Sequence, residues 1–102
     1  MYIMAENVKE SSYRLPDSVT LQHAVKLSIV NDKPIMMDYW VCSCEKEGLI
    51  GVRENGEKLL VKNEEEYTSP VSKVYKVKTD YIIETENSLY LVDSAIETKK
   101  IS

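Results

Sequence analysis

The sequence is poor in the residues that most catalytic and cofactor-binding motifs require. Its 102 residues include only three glycines, two cysteines and one histidine, His23. The glycines belong to neither a G-x-G-x-x-G nor a G-x-x-x-x-G-K-S/T run, which excludes both common nucleotide-binding loops. A single histidine argues against a histidine-based metal site or proton relay. We therefore expect no enzymatic activity, no catalytic residue, no metal and no cofactor.

Long apolar segments and an excess of basic residues are also missing. No apolar run reaches the roughly 18 residues that a membrane-spanning helix needs, and the N-terminal residues lack the pattern of a secretory signal. Two cysteines one residue apart do not make the framework of a disulfide-stapled secreted domain. These absences predict an intracellular, cytoplasmic protein that does not contact membranes. The net charge of −4 argues against nucleic-acid binding, which needs a basic surface.

What the sequence does contain begins with one helical segment. Apolar residues recur at helical spacing over residues 19–30, VTLQHAVKLSIV. Leu21, Ala24, Val25 and Ile29 fall together on one face of that helix. Pro34 cannot continue the hydrogen-bond ladder, so the helix ends before it.

Short strands are predicted for the rest of the chain. The apolar run at residues 35–42 is expected to be a strand in the middle of a sheet. Asn55-Gly56 predicts a two-residue hairpin turn. The register that follows pairs Val52 with Leu59 and Ile50 with Val61. A loop is expected at residues 63–70, and further strands at 71–77, 80–86 and 89–93.

These segments predict an α+β fold that is mainly β. One N-terminal helix would lie on a small antiparallel sheet or barrel of about six short strands, because all connections after the helix are short. Residues 1–18 would form an N-terminal arm, residues 19–96 a single β-rich domain, and residues 97–102 a C-terminal tail.

The segment DKPIMMDYWVCSC, at residues 32–44, resembles the thioredoxin strand that leads into the redox site. In thioredoxins two residues separate the cysteines, and the motif opens a helix that lowers the pKa of the first thiol. Here one residue separates Cys42 from Cys44, and a turn is expected to lead directly into a strand. A thiol protein or a metal site using these two cysteines is therefore an alternative hypothesis, and small side chains near a strand end are the simpler interpretation.

Aromatic residues are concentrated in the predicted strands. The chain has seven tyrosines, one tryptophan and no phenylalanine. Tyrosine and tryptophan are typical anchors of protein interfaces. The predicted interface residues are Tyr39, Trp40, Tyr75, Tyr81 and Tyr90. The alternative is that these side chains pack at the rim of the core, and for Trp40 that it belongs to the core. A basic and aromatic segment, VSKVYKVK at residues 71–78, offers an alternative: a barrel face that binds a small molecule or a single-stranded nucleic acid.

Three stretches, NDKPIMMDYW (31–40), NGEKLLVKNEEEYTSPVSKVYKV (55–77) and DYIIETENSLYLVD (80–93), together resemble short uncharacterised proteins of large nucleocytoplasmic DNA viruses, the giant viruses. This resemblance implies a viral accessory protein or virion component made in host cytoplasm, with no enzymatic activity. Taken with the aromatic strands, it predicts a non-catalytic protein-interaction or assembly module. Its partner would be another protein or a further copy of the same chain.

Overall fold

The structure is a computed structural model that describes residues 14–101. The first 13 residues of the predicted N-terminal arm lie outside this range. Within residues 14–101 the chain forms two helices and seven strands. In chain order they are α1 (Ser18–Asn31), β1 (Ile35–Met36), α2 (Trp40–Cys44), β2 (Leu49–Val52), β3 (Lys58–Asn63), β4 (Glu66–Val77), β5 (Asp80–Thr85), β6 (Leu89–Asp93) and β7 (Glu97–Lys100).

The strands form one mixed sheet in the order β1-β6-β5-β4-β3-β2-β7. The four pairings in the middle of the sheet are antiparallel, and the two outermost pairings, β1 with β6 and β2 with β7, are parallel. The mainly β class with one long N-terminal helix is confirmed. The expectation of an all-antiparallel sheet is wrong. The alternative of a barrel is also wrong, because within residues 14–101 β1 and β7 lie at opposite edges of the sheet and do not pair with each other.

Two hydrophobic clusters lie on opposite faces of β5 and β6. The first cluster fills the space between these strands and β2–β3, and contains Tyr39, Ile50, Leu60, Ile83, Val92 and Ile96. The second lies beneath α1 and contains Ala24, Trp40, Ile82, Leu89 and Leu91. Because successive residues of a strand point to opposite faces, Ile82 and Ile83 enter different clusters. The sheet therefore bends along β4, and its two halves enclose the first cluster.

The prediction of a central strand at residues 35–42 is wrong. Only Ile35 and Met36 are in a strand, and that strand is an edge of the sheet. The Trp40 amide donates to the Met37 carbonyl at 3.1 Å, and the chain then enters α2. A short helical turn buries the apolar run here, and periodicity alone does not separate a short buried strand from a short buried helix.

The predicted hairpin between β2 and β3 forms, but its register is shifted by one residue. Ile50 pairs with Leu60, and Val52 pairs with Lys58. The Arg53 amide donates to the Glu57 carbonyl, and Gly56 has a φ of 91°. The connection is thus a longer loop closed by a glycine bulge, and the extra residue moves each pairing by one position.

Two segments expected to be irregular belong to the sheet. β4 begins at Glu66, inside the predicted loop at residues 63–70, and Pro70 lies where β4 leaves the β3 ladder for the β5 ladder. A proline is tolerated at such an irregularity because a ladder hydrogen bond is already missing there. The predicted C-terminal tail contains β7, whose four side chains are all exposed and give no apolar pattern.

Candidate interaction surface

Two buried carboxylates on β5 hold helix α1 against the sheet. At the N-terminal end, Asp17 caps the helix by accepting from the Val19 amide at 2.8 Å. The fully buried Asp80 carboxylate accepts from the Thr20 hydroxyl at 2.7 Å and the Asp17 amide at 2.9 Å, and it pairs with Arg14. The first turn of α1 is therefore attached to the start of β5.

Glu84 makes the equivalent attachment at the other end of the helix. Its Oε2 accepts from the Asn31 side chain at 3.0 Å and from Lys33 Nζ at 2.7 Å. Its Oε1 accepts from the Tyr75 hydroxyl at 3.1 Å. Asp80, Ile82 and Glu84 alternate along β5, so all three face the helix.

Both carboxylates are held in the ionised form. Burial alone would raise the pKa of Asp80, but hydrogen bonds from Thr20, Asp17 and Arg14 outweigh it and hold this pKa below its usual range. The hydrogen bond from Lys33 holds the pKa of Glu84 below its usual range in the same way, against the effect of burial. Every oxygen is occupied by a partner within the chain, so neither group is placed to act as an acid or base on a ligand.

The helix attached in this way turns an apolar stripe toward solvent. We call Leu21, Val25 and Ile29 the outer stripe; their exposed fractions are 40%, 49% and 75%. They are spaced four residues apart and therefore lie one above the other on the helix surface. The sequence pattern places Ala24 on the same face, but Ala24 is fully buried against the sheet. One side of the predicted apolar face thus packs inward while the other is left uncovered.

The outer face of α1 is also almost free of charge. With histidine counted as neutral, Lys26 is the only charged residue of Ser18–Asn31. A surface helix usually presents charged and polar residues to solvent. An exposed apolar stripe with a single charged residue, Lys26, on its helix is typical of an interaction surface.

A groove of about 610 Å³ runs beside the outer stripe, between α1 and the end of β4. Apolar side chains including Val19, Leu27 and Val77 line it. The ionisable side chains that line it are His23, Lys26, Tyr75, Lys76 and Lys78. None of the ion pairs within residues 14–101 includes the three lysines of this groove. We call this feature the lysine groove.

A second groove, of about 480 Å³, lies on the outer face of β2 and β3. Its apolar lining includes Leu49, Leu59 and Val61, which the shifted hairpin register places on this side of the sheet. Ile101 lies against Gly51, where a Cβ atom would come within 2.7 Å of the isoleucine side chain. The groove therefore has an apolar lining, part of which is covered by the end of the described chain.

Two of the five predicted interface residues are not at the surface. Tyr39 and Trp40 are only 4% and 2% exposed. Tyr39 packs edge-on against Tyr90, and burial raises the pKa of Tyr39 to about 12. The Trp40 indole donates to the Arg14 carbonyl at 2.7 Å. These two side chains are core residues because α2 turns them inward, so their predicted surface exposure is corrected.

Tyr75, Tyr81 and Tyr90 are half-buried and do not come together at one place. Tyr81 and Tyr90 pack against the first cluster, and Tyr75 against the second. Only Tyr75 lines the lysine groove. The prediction missed the outer stripe because it relied on aromatic residues as interface anchors. The spacing of Leu21, Val25 and Ile29 is visible in the sequence, but a helix that buries its apolar face in the core has the same spacing.

The two cysteines point into different parts of the core. Both lie on α2, but Cys42 packs against the first cluster and Cys44 against the second. Burial raises the pKa of each thiol. Cys44 is the last residue of the short helix, the end that disfavours a thiolate. Among residues 14–101 no group of three or more histidine, cysteine or acidic side chains is placed to bind a metal.

Comparison of the chain with protein-family models, with curated proteins and with solved structures finds no match. No helix in the described part of the chain is long and apolar enough to cross a membrane.

Proposed function

We propose that this chain is a non-catalytic protein-interaction module and that the outer face of α1 is its contact surface. The observation that carries the proposal is the outer stripe: three large apolar side chains in one row, exposed on a helix that the rest of the fold holds rigidly. Folding buries apolar residues wherever it can. A row left uncovered on a helix that is attached to the sheet at both ends favours burial against another protein.

The contacts of the buried polar groups support a non-catalytic role. Asp80 and Glu84 are the two most buried carboxylates of residues 14–101, and hydrogen bonds within the chain engage both of them. Cys42 and Cys44 face separate clusters and have raised pKa values. A catalytic group needs a free reactive atom facing a ligand.

The chemistry of the outer face defines the partner surface it would fit. Ser18, Gln22 and Ser28 flank the stripe together with Lys26, so its rim is polar and carries a single charge. A matching surface would be apolar at its centre and free of unpaired charge, because burying an isolated charge against this face costs several kcal/mol. The side of an amphipathic helix in the partner has this composition.

The resemblance to giant-virus proteins adds a setting to this proposal. In that setting the module would act as a viral accessory protein or virion component in the cytoplasm of a host cell. The proposal of an interaction surface on α1 is independent of that setting, because it depends only on the exposure of the helix.

Binding of a single-stranded nucleic acid through the lysine groove is the second candidate. Three lysines and Tyr75 favour it, since such proteins combine a basic groove with stacking aromatic side chains. However, Tyr75 is the single aromatic residue in the groove, and its hydroxyl is bound to Glu84. The net charge of −4 also opposes a polyanion. Protein contact is therefore the better supported function.

Replacement of the outer stripe tests the proposal. Val25→Lys and Ile29→Lys together place two charges on exposed positions, where the helix tolerates lysine well. Val41→Lys with Val74→Lys is a matched control, because Val41 and Val74 are also exposed apolar residues but lie outside α1. Both variants should unfold at nearly the same temperature as the native chain.

Quantitative affinity capture from the source cells then compares the three proteins. We expect at least one protein to be retained by the native chain and the control variant and reduced roughly tenfold or more with the stripe variant, the size typical of interface anchors. Identical sets of captured proteins for the stripe and control variants would contradict the proposal.

A further inference from the structure

We propose that the lysine groove receives the acidic β3–β4 loop of a second copy of this chain. This inference extends the proposed function, since it treats the chain as an interaction module, but it uses a different surface from the outer stripe. The loop consists of Glu64, Glu65 and Glu66 with the adjoining Tyr67. It supplies charge of the opposite sign to the groove.

The groove offers two cations that the fold does not use. Lys26 comes from α1 and Lys78 from the turn after β4. Both are exposed at the rim of an apolar floor. Lys76 also borders the groove, but it lies between Tyr75 and Val77, which face α1, so its side chain leaves β4 on the opposite face. An acidic ligand with an apolar part would satisfy both the rim and the floor.

The β3–β4 loop has this composition and a defined shape. The Glu65 amide donates to the Asn63 side chain at 2.8 Å, which fixes the turn at the tip. Among the ion pairs of the described residues, Glu64 and Glu65 make none, and Glu66 makes one long contact of 3.9 Å with Lys62. Tyr67 is 55% exposed and supplies the apolar part. The loop is therefore a preformed projection that needs little ordering to bind.

The position of the two features makes the contact intermolecular. Glu66 begins β4, and Lys76 lies near the end of the same strand, ten residues later. At about 3.3 Å per residue an extended strand of that length spans roughly 30 Å, and the bend at Pro70 shortens this distance only in part. The acidic and basic ends of one strand cannot meet within the chain. Docking between copies brings them together.

The charges of the two surfaces are opposite. The glutamates of the loop would face Lys26 and Lys78 of the groove, and Tyr67 can pack against the apolar floor between them. Because the loop and the groove are different surfaces, the contact is heterologous and joins copies head to tail. Such contacts propagate into open chains unless the rotation between copies closes a ring.

Charge reversal with complementation tests this inference. Lys26→Glu with Lys78→Glu reverses the groove, and Glu64→Lys with Glu65→Lys reverses the loop. All four side chains are exposed and make no side-chain hydrogen bond to other described residues. The controls are Lys58→Glu with Lys100→Glu and Glu54→Lys with Glu86→Lys, which make the same charge changes at exposed positions elsewhere.

Sedimentation velocity of the purified full chain measures the association. At about 0.01 M salt, where charges act over roughly 30 Å, the native chain should associate, and at about 1 M salt it should dissociate. The association of each reversed variant alone should be weaker than that of the native chain by roughly tenfold or more. An equimolar mixture of the two reversed variants should associate like the native chain, because the reversed groove accepts the reversed loop.

Three results would overturn the inference. One is a native chain that stays monomeric at low salt, and another is a mixture of reversed variants that fails to associate. The third is groove-dependent binding of an oligothymidylate probe by a chain that does not self-associate, which would assign the groove to nucleic acid. The stripe variant with lysine at positions 25 and 29 should keep the salt-dependent association, so failure of this inference is separable from failure of the proposed function.

Discussion

At the scale of single residues, Asp80 has the greatest influence on how the helix is placed. Its buried carboxylate accepts hydrogen bonds from the Thr20 hydroxyl and the Asp17 amide and pairs with Arg14. Arg14 in turn lies 5.0 Å above the Trp40 ring, which joins the segment before α1 to the second cluster. One acidic side chain thus connects the helix, the segment preceding it and the sheet.

Asp80→Ala should lower the free energy of unfolding by about 3 kcal/mol, because it leaves buried donors and a paired guanidinium without their acceptor. Urea denaturation followed by circular dichroism measures the change. Glu86→Ala, at an exposed carboxylate, is the control and should change stability by less than about 0.5 kcal/mol. Equal stability of the two variants would show that Asp80 does not hold the helix.

The two lowered carboxylate pKa values predict how stability depends on pH. A group whose pKa is lower in the folded than in the unfolded state stabilises the fold above its unfolded pKa, which is about 4 for these residues. That contribution is lost as the pH falls through the folded-state pKa values of Asp80 and Glu84.

Stability measured by thermal unfolding should therefore be level above about pH 5 and decline below about pH 4. A double variant, Asp80→Asn with Glu84→Gln, should be less stable at neutral pH but show a shallower decline in acid. A decline as steep as that of the native chain would mean that other carboxylates cause it.

At the scale of elements, sequence patterns predicted segments whose structure is determined locally. α1 and the β5–β6 hairpin follow from apolar spacing and turn residues close in the chain. α2 was missed because five residues, WVCSC, carry no helical period. β7 was missed because its four side chains are exposed, and its parallel pairing with β2 depends on the bend of the sheet rather than on its own residues.

The register of the β2–β3 hairpin shows how one residue changes a prediction. Gly56 has a φ of 91° and no atom near the position of a Cβ, so its conformation rather than packing requires glycine. The predicted two-residue turn would need a positive φ at Asn55 as well, but Asn55 instead accepts from the Glu57 amide. The glycine bulge that results moves Leu59 and Val61 to the outer face.

Gly56→Ala should destabilise the protein by about 1–2 kcal/mol, the cost of placing a non-glycine residue in a left-handed conformation. Chemical denaturation measures the loss. Gly56→Asn is the matched variant, because asparagine tolerates positive φ better and should restore part of the stability. An unchanged stability for Gly56→Ala would mean that the turn relaxes to a different geometry.

At the scale of the whole molecule, the polar groups buried in the described residues are hydrogen-bonded to partners within the chain. Two surface features, the outer stripe and the lysine groove, have no such partners within these residues. Tyr39 and Trp40, which were predicted to lie at an interface, serve the core. The outer stripe lies on α1, and the lysine groove lies between α1 and the end of β4. The candidate site could be predicted only in part. The sequence shows the helical spacing of the apolar residues in α1, but it does not show which side of α1 the sheet covers.

Site-specific photo-crosslinking in the source cells tests whether the outer face of α1 contacts another protein. A photoreactive amino acid at position 25, within the outer stripe, should form a discrete adduct with another protein. The same amino acid at position 41, on exposed Val41 of α2, should form none. An adduct at position 25 alone is the result that this account predicts. No adduct at position 25, or the same adducts at both positions, would contradict the assignment of the α1 outer face as the contact surface.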